Sequence, residues 1–173
     1  LKGSDILVLA KLISGAEISV RPLAEALDLP RSNVARSLDR LRAAGLIVGD
    51  GIDGSRALEF LRHAVKYIVP AGAGDKQARG LATGSYAPPF DAEFVGGTTP
   101  FVWAQARGPD RGFPIEPLAE NAPALAREDP ALRSVLAAID ALRVERARER
   151  EAASNYLANP LPHVGAPRDS VQG

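Results

Sequence analysis

Asn33, Arg36, Ser37 and Arg40 fall at i, i+3, i+4 and i+7, a spacing that puts them on one face of a helix. An amide, a hydroxyl and guanidinium groups on one helical face form the set that bonds base edges and holds phosphates in a major groove. Arg31 and Ser32 precede them and extend the set toward the helix N-terminus. Asp39 is the only acidic residue between Arg31 and Ala44, so this is not a charge-balanced solvated face. Val34, Leu38 and Leu41, at i, i+4 and i+7 of the same stretch, make a separate apolar stripe that can seat the helix on a core.

Other chemistries find no comparable constellation. The only histidines are His63 and His163; His63 has no second His at ligand spacing and reads as a partly buried polar residue. With 0 Cys, disulfides, thiol catalysis and thiolate metal sites are excluded. Gly72-Ala73-Gly74-Asp75-Lys76 lacks the spacing of a phosphate-binding loop, and neither a metalloprotease nor a nucleophile-elbow motif occurs. The chain is therefore read as not an enzyme, with no catalytic residue, no metal ligand and no cofactor.

The elements that must position the polar face can be placed by their punctuation. Ser4 or Asp5 can cap a first helix that runs to about Ser14 and ends at Gly15. Ser19 can cap a second, with Pro22 in its first turn. Leu29-Pro30 makes a turn into the polar-faced helix, Arg31 to Ala44, and Gly45 is placed to end it in the left-handed conformation. A short strand, Leu46 to Val48, the turn Gly49 to Gly54, an amphipathic helix over Ser55 to Lys66 and a strand at Tyr67-Ile68-Val69 follow.

LAEALDLPRSNVARSLDRLRAAGLI resembles the winged helix-turn-helix of MarR-like bacterial transcription regulators. The pattern is carried by Leu23, Ala24, Leu27, Val34, Leu38, Leu41, Gly45 and Leu46, within a match over roughly residues 4–66. The resemblance implies double-stranded DNA as partner, Arg31 to Ala44 as the recognition helix, and a homodimer that more often represses. The implied DNA-binding set is Arg31, Ser32, Asn33, Arg36, Ser37 and Arg40, with Arg56 at or near the wing tip for phosphate or the minor groove. The later blocks FLRHAVKYIVPA and RGLATGSYAPPF and the helix from Asp129 to Glu151 resemble a bacterial group of winged-helix proteins of unassigned role.

Residues 70–128 change character: Pro and Gly recur and neither periodicity is strong. Six of the nine aromatics stand here, Tyr86, Phe90, Phe94, Phe101, Trp103 and Phe113, and disordered linkers are poor in aromatics. The segment is read as irregular but ordered, with aromatics that plug into a core or a protein partner. The alternative function follows from it: a protein-interaction module, antitoxin-like or an adaptor subunit, working through residues 70–129. Asp129-Pro130 is a strong helix start, and Leu132, Leu136, Ile139 and Leu142 step by 4, 3 and 3, a seam suited to dimerisation. Past it, Arg143, Arg146 and Arg150 could track a DNA backbone, though interleaved Glu residues oppose that.

The expected fold is mainly α. It comprises a winged helix-turn-helix DNA-binding domain over residues 1–69, the irregular segment over 70–128, a long C-terminal helix over 129–158 and a disordered tail over 159–173. The net charge of the 173 residues is +0, so any attraction for nucleic acid is local to one helix. No apolar run approaches membrane-spanning length and no secretory signal is recognisable. Together with the absence of Cys, this leads to the expectation of a cytoplasmic protein without membrane contact.

Overall fold

The computed structural model describes residues 1–94 and 99–161. Its N-terminal part is built from α1 (Gly3–Ile13), α2 (Val20–Leu27) and α3 (Arg31–Ala43), with the hairpin β1 (Ile47–Val48) and β2 (Gly51–Ile52) behind them. In α1 the run from Ile6 to Ala10 is wholly buried, so this stretch of the helix is covered on all sides. Both α3 and α7 (Pro130–Val144) pack on it. Asp28 ends α2 in the left-handed region, φ 49°, and the Leu29 N–H closes the turn on the Ala24 carbonyl at 3.0 Å. Gly45 does the same for α3 at φ 72°, with the Leu46 N–H on the Leu41 carbonyl at 3.0 Å.

After the hairpin come α4 (Gly54–His63) and the short α5 (Val65–Ile68). The strand expected at Tyr67 to Val69 is not formed. Val65 is buried as the start of a helical turn, and the carbonyls of Val69 and Pro70 accept from Arg143, whose Nε–O distance to Val69 is 2.8 Å.

The segment 70–128 is more regular than its composition predicts. It holds β3 (Ala78–Thr83), a 3-10 turn (Gly84–Tyr86), β4 (Phe101–Ala104), β5 (Asp110–Pro114) and α6 (Ala122–Glu128). β3 pairs antiparallel with both β4 and β5, while β4 and β5 pair in parallel, so the three strands close on one another. Gly80 makes this closure possible, because a Cβ there would run into the Trp103 carbonyl.

The single long C-terminal helix is also corrected. It is two helices, α7 and α8 (Ala147–Ala158), separated by an extended step at Glu145 and Arg146. Glu145 leaves the helix because its carboxylate accepts from the Ser85 N–H at 2.7 Å and from the Ser85 hydroxyl at 2.8 Å. Arg150 reaches back to the Leu142 carbonyl at 2.6 Å, satisfying an end of α7 that would otherwise lack a partner. The N-terminal end of α7 forms as expected: the Asp129 side chain accepts from the Leu132 N–H at 3.0 Å, with Pro130 in the first turn.

Leu132, Leu136, Ile139 and Leu142 were expected to face a second copy. All four are buried inside one chain, where α7 packs on α1, β3, the 3-10 turn, α5, α6 and α8. An apolar stripe on a helix does not say whether its cover comes from the same chain, and here it does. Asp140, on the same helix, is buried and accepts from Thr83 Oγ1 (2.8 Å), Trp103 Nε1 (2.8 Å) and Arg143 Nη1 (2.7 Å). Arg143 is itself fully buried, which removes it from any DNA-facing row. Of the expected tail, residues 162–173, including His163, lie outside the described residues.

Candidate nucleic-acid interface

The polar-faced helix forms where the sequence places it, and α3 buries Val34, Leu38 and Leu41 against α1 and α2. Arg31, Ser32, Asn33 and Arg36 are exposed. No side chain caps the first turn of α3, so its N-terminal dipole adds to the Arg31 charge as an attraction for phosphate.

Two members of the expected set are turned elsewhere. Ser37 is only 1% exposed, and its hydroxyl donates to Asp5 Oδ1 at 2.7 Å. Arg40 grips the same carboxylate bidentately, Nε to Oδ2 at 2.9 Å and Nη2 to Oδ1 at 2.7 Å. Asp5 completes its set by accepting from the Lys2 N–H at 2.9 Å. Burial pushes the Asp5 carboxyl up, but the bonds from Arg40, Ser37 and Lys2 and the charge of Arg40 outweigh it, leaving the group below its ordinary value. These side chains fasten α3 to the start of α1, and the burial of Ser37 takes it out of the groove-facing set.

Asp5 is the site residue that sequence reasoning missed in this role. It was visible only as an acid before the apolar run Ile6 to Ala10, a position that also suits a cap. Arg42 is a second omission: exposed on the last turn of α3, it lies 3.7 Å from Asp39.

Arg56 is not at the wing tip. It stands in the first turn of α4, its N–H donating to Asp53 Oδ1 at 3.0 Å. Its guanidinium lies over Gly45, where a Cβ would meet Nη1 at 2.7 Å. The group is thus held at the C-terminal end of α3, largely exposed. The wing itself has two residues per strand, with Ile47 opposite Ile52 and Val48 opposite Gly51, and Gly49 and Asp50 between them.

The rest of the chain braces this unit from behind. Lys11 pairs with Asp129 at 2.5 Å, joining α1 to the start of α7. Asn121 Nδ2 donates to the Leu27 carbonyl at 2.7 Å, fixing the end of α2 beside the turn into α3. Among the described residues no group of three or more His, Cys, Asp or Glu could hold a metal ion, and no helix is long and apolar enough to cross a membrane.

Compared with known families, residues 1–48 match the model of a winged helix-turn-helix DNA-binding family. The match covers α1 to β1 and includes every α3 residue of the candidate interface. Neither the search of curated proteins nor that of solved structures finds a match.

Proposed function

We propose that this chain is a sequence-specific double-stranded DNA-binding transcriptional regulator of the MarR-like bacterial kind, with α3 seated in the major groove. One observation carries the reading. Arg31, Ser32, Asn33 and Arg36 form an exposed polar face on a helix whose back is locked into the core, within a segment that matches a winged helix-turn-helix DNA-binding family. Arg36 and Asn33 are the base-reading groups, the first suited to guanine and the second to adenine. Arg31 and Arg56, at opposite ends of α3, hold phosphates.

Repression is the role that the MarR-like resemblance more often implies. Two copies on a palindromic site fit the short recognition helix, which alone spans few base pairs. The contact joining them must lie outside the α7 seam, which one chain covers by itself. The interaction-module alternative loses support, since Phe90 and Trp103 of its proposed working segment are buried in the chain's own core.

The test is selection of genomic fragments by the purified chain, followed by gel shift with an Asn33→Ala/Arg36→Ala variant. A discrete fragment should be enriched, and the variant should lose about 1–3 kcal/mol for each base contact removed. Full affinity in a folded variant would remove α3 as the reading helix.

A further inference from the structure

We propose that Asp39 is a base-reading residue of α3 that selects cytosine, at the base pair next to the one met by Arg36. The inference rests on the reading of α3 as the helix seated in the major groove. Ser32, Arg36, Asp39 and Ala43 recur at i, i+4, i+7 and i+11 and are all exposed. They lie on the side of α3 opposite the buried Val34, Leu38 and Leu41, so this ridge points most directly away from the core and into a groove. Asp39 stands in it with its side chain 77% exposed. Its neighbours one turn away in each direction, Ala35 and Ala43, are small. Neither holds the helix backbone off the DNA, so a short carboxylate can reach a base edge.

The carboxylate is open to a donor. Its ion pair with Arg42 Nη1 spans 3.7 Å, too long for a hydrogen bond, and exposed pairs of this kind hold their members weakly. A carboxylate that enters the groove gives up water and must accept from a donor in return. Base edges there offer two, N4 of cytosine and N6 of adenine, whereas guanine O6 and thymine O4 are acceptors and repel it. Adenine also carries the acceptor N7 beside N6, which repels the second carboxylate oxygen; cytosine has no such neighbour. Cytosine is therefore the base that fits. Arg36 and Asp39 are separated by about 4.5 Å along the helix axis, close to the roughly 3.4 Å step between base pairs, so the two address neighbouring pairs.

The experiment is selection of randomised duplexes by the full chain, run in parallel for the wild type, Arg36→Ala, Asp39→Asn and Arg42→Ala. Arg36→Ala marks its own base pair by relaxing it. At an adjacent pair the wild type should prefer cytosine by about tenfold over the other bases. In Asp39→Asn that position alone should change from cytosine to adenine, because an amide matches the N6 and N7 edge. Its unfolding transition should be unchanged, since the side chain is exposed. Arg42→Ala should keep the cytosine, whatever it does to affinity. Retention of cytosine in Asp39→Asn would overturn the proposal, as would the same change of base in Arg42→Ala, since Asp39 would then act only by placing Arg42. Enrichment of no sequence by the wild type would bring down the reading of α3 and this inference with it, whereas a selected site that Asp39→Asn leaves unaltered defeats the role of Asp39 alone.

Discussion

Asp5 decides what two neighbouring polar side chains can do. Its carboxylate is wholly buried and takes both a hydroxyl and a bidentate guanidinium from α3, so the variants Ser37→Ala and Arg40→Ala act on stability as well as on any DNA contact. Asp5→Ala should cost about 1–3 kcal/mol in urea unfolding, because the buried Ser37 hydroxyl loses its acceptor. Arg36→Ala should leave the unfolding midpoint unchanged, since Arg36 is exposed; equal destabilisation by both changes would contradict the division of roles. Acid should expose the same carboxylates. Asp5 and Asp129 both lie below their ordinary values, so their stabilisation is present above the pKa of the unfolded carboxylate. It is lost as pH falls through the lowered folded value, where the unfolded chain binds more protons. Asp5→Asn should flatten the acid limb of a stability-against-pH curve, and an unchanged limb would mean that other carboxylates carry it.

At the level of elements, α7 is the shared spine of the two halves. Its apolar stripe is covered within the chain, so Leu136→Ala should cost about 2–5 kcal/mol by leaving a cavity. The melting temperature of the wild type should be independent of protein concentration, as expected when this seam is not an interface between copies. A midpoint that rises with concentration and loses this rise in Leu136→Ala would restore the seam to a dimer. The break after α7 has a physical cause out of local reach. Glu145 would continue a helix by propensity, but Ser85, 60 residues away, holds its carboxylate at the 3-10 turn. The strands of the middle segment were hidden for a related reason. They are short, one begins with the Asp-Arg-Gly of β5, and their pairing is between residues far apart in the chain.

For the whole molecule, a net charge of +0 means that DNA attraction has to come from a few groups on one face. The affinity should fall with salt at about 0.9 per phosphate contacted on a log–log plot. Arg31→Ala should lower that slope by about one and weaken all sequences alike, whereas Arg36→Ala should relax discrimination at one base pair. Gel shifts at several salt concentrations separate the two, and equal loss on specific and non-specific DNA for Arg36→Ala would make it a phosphate contact. The sequence by itself determined α2, the turn, α3 and its glycine end, because periodicity, capping and left-handed turn residues act over a few positions. It likewise determined the start of α7 at Asp129-Pro130 and the exposed residues Arg31 to Asn33 and Arg36. Only the tertiary structure decided which polar groups of α3 remain available, since Asp5 reaches Ser37 across 32 positions. It also decided that the α7 seam closes within one chain and that β3, β4 and β5 form a closed sheet, because burial and strand pairing depend on which distant segments supply the other side.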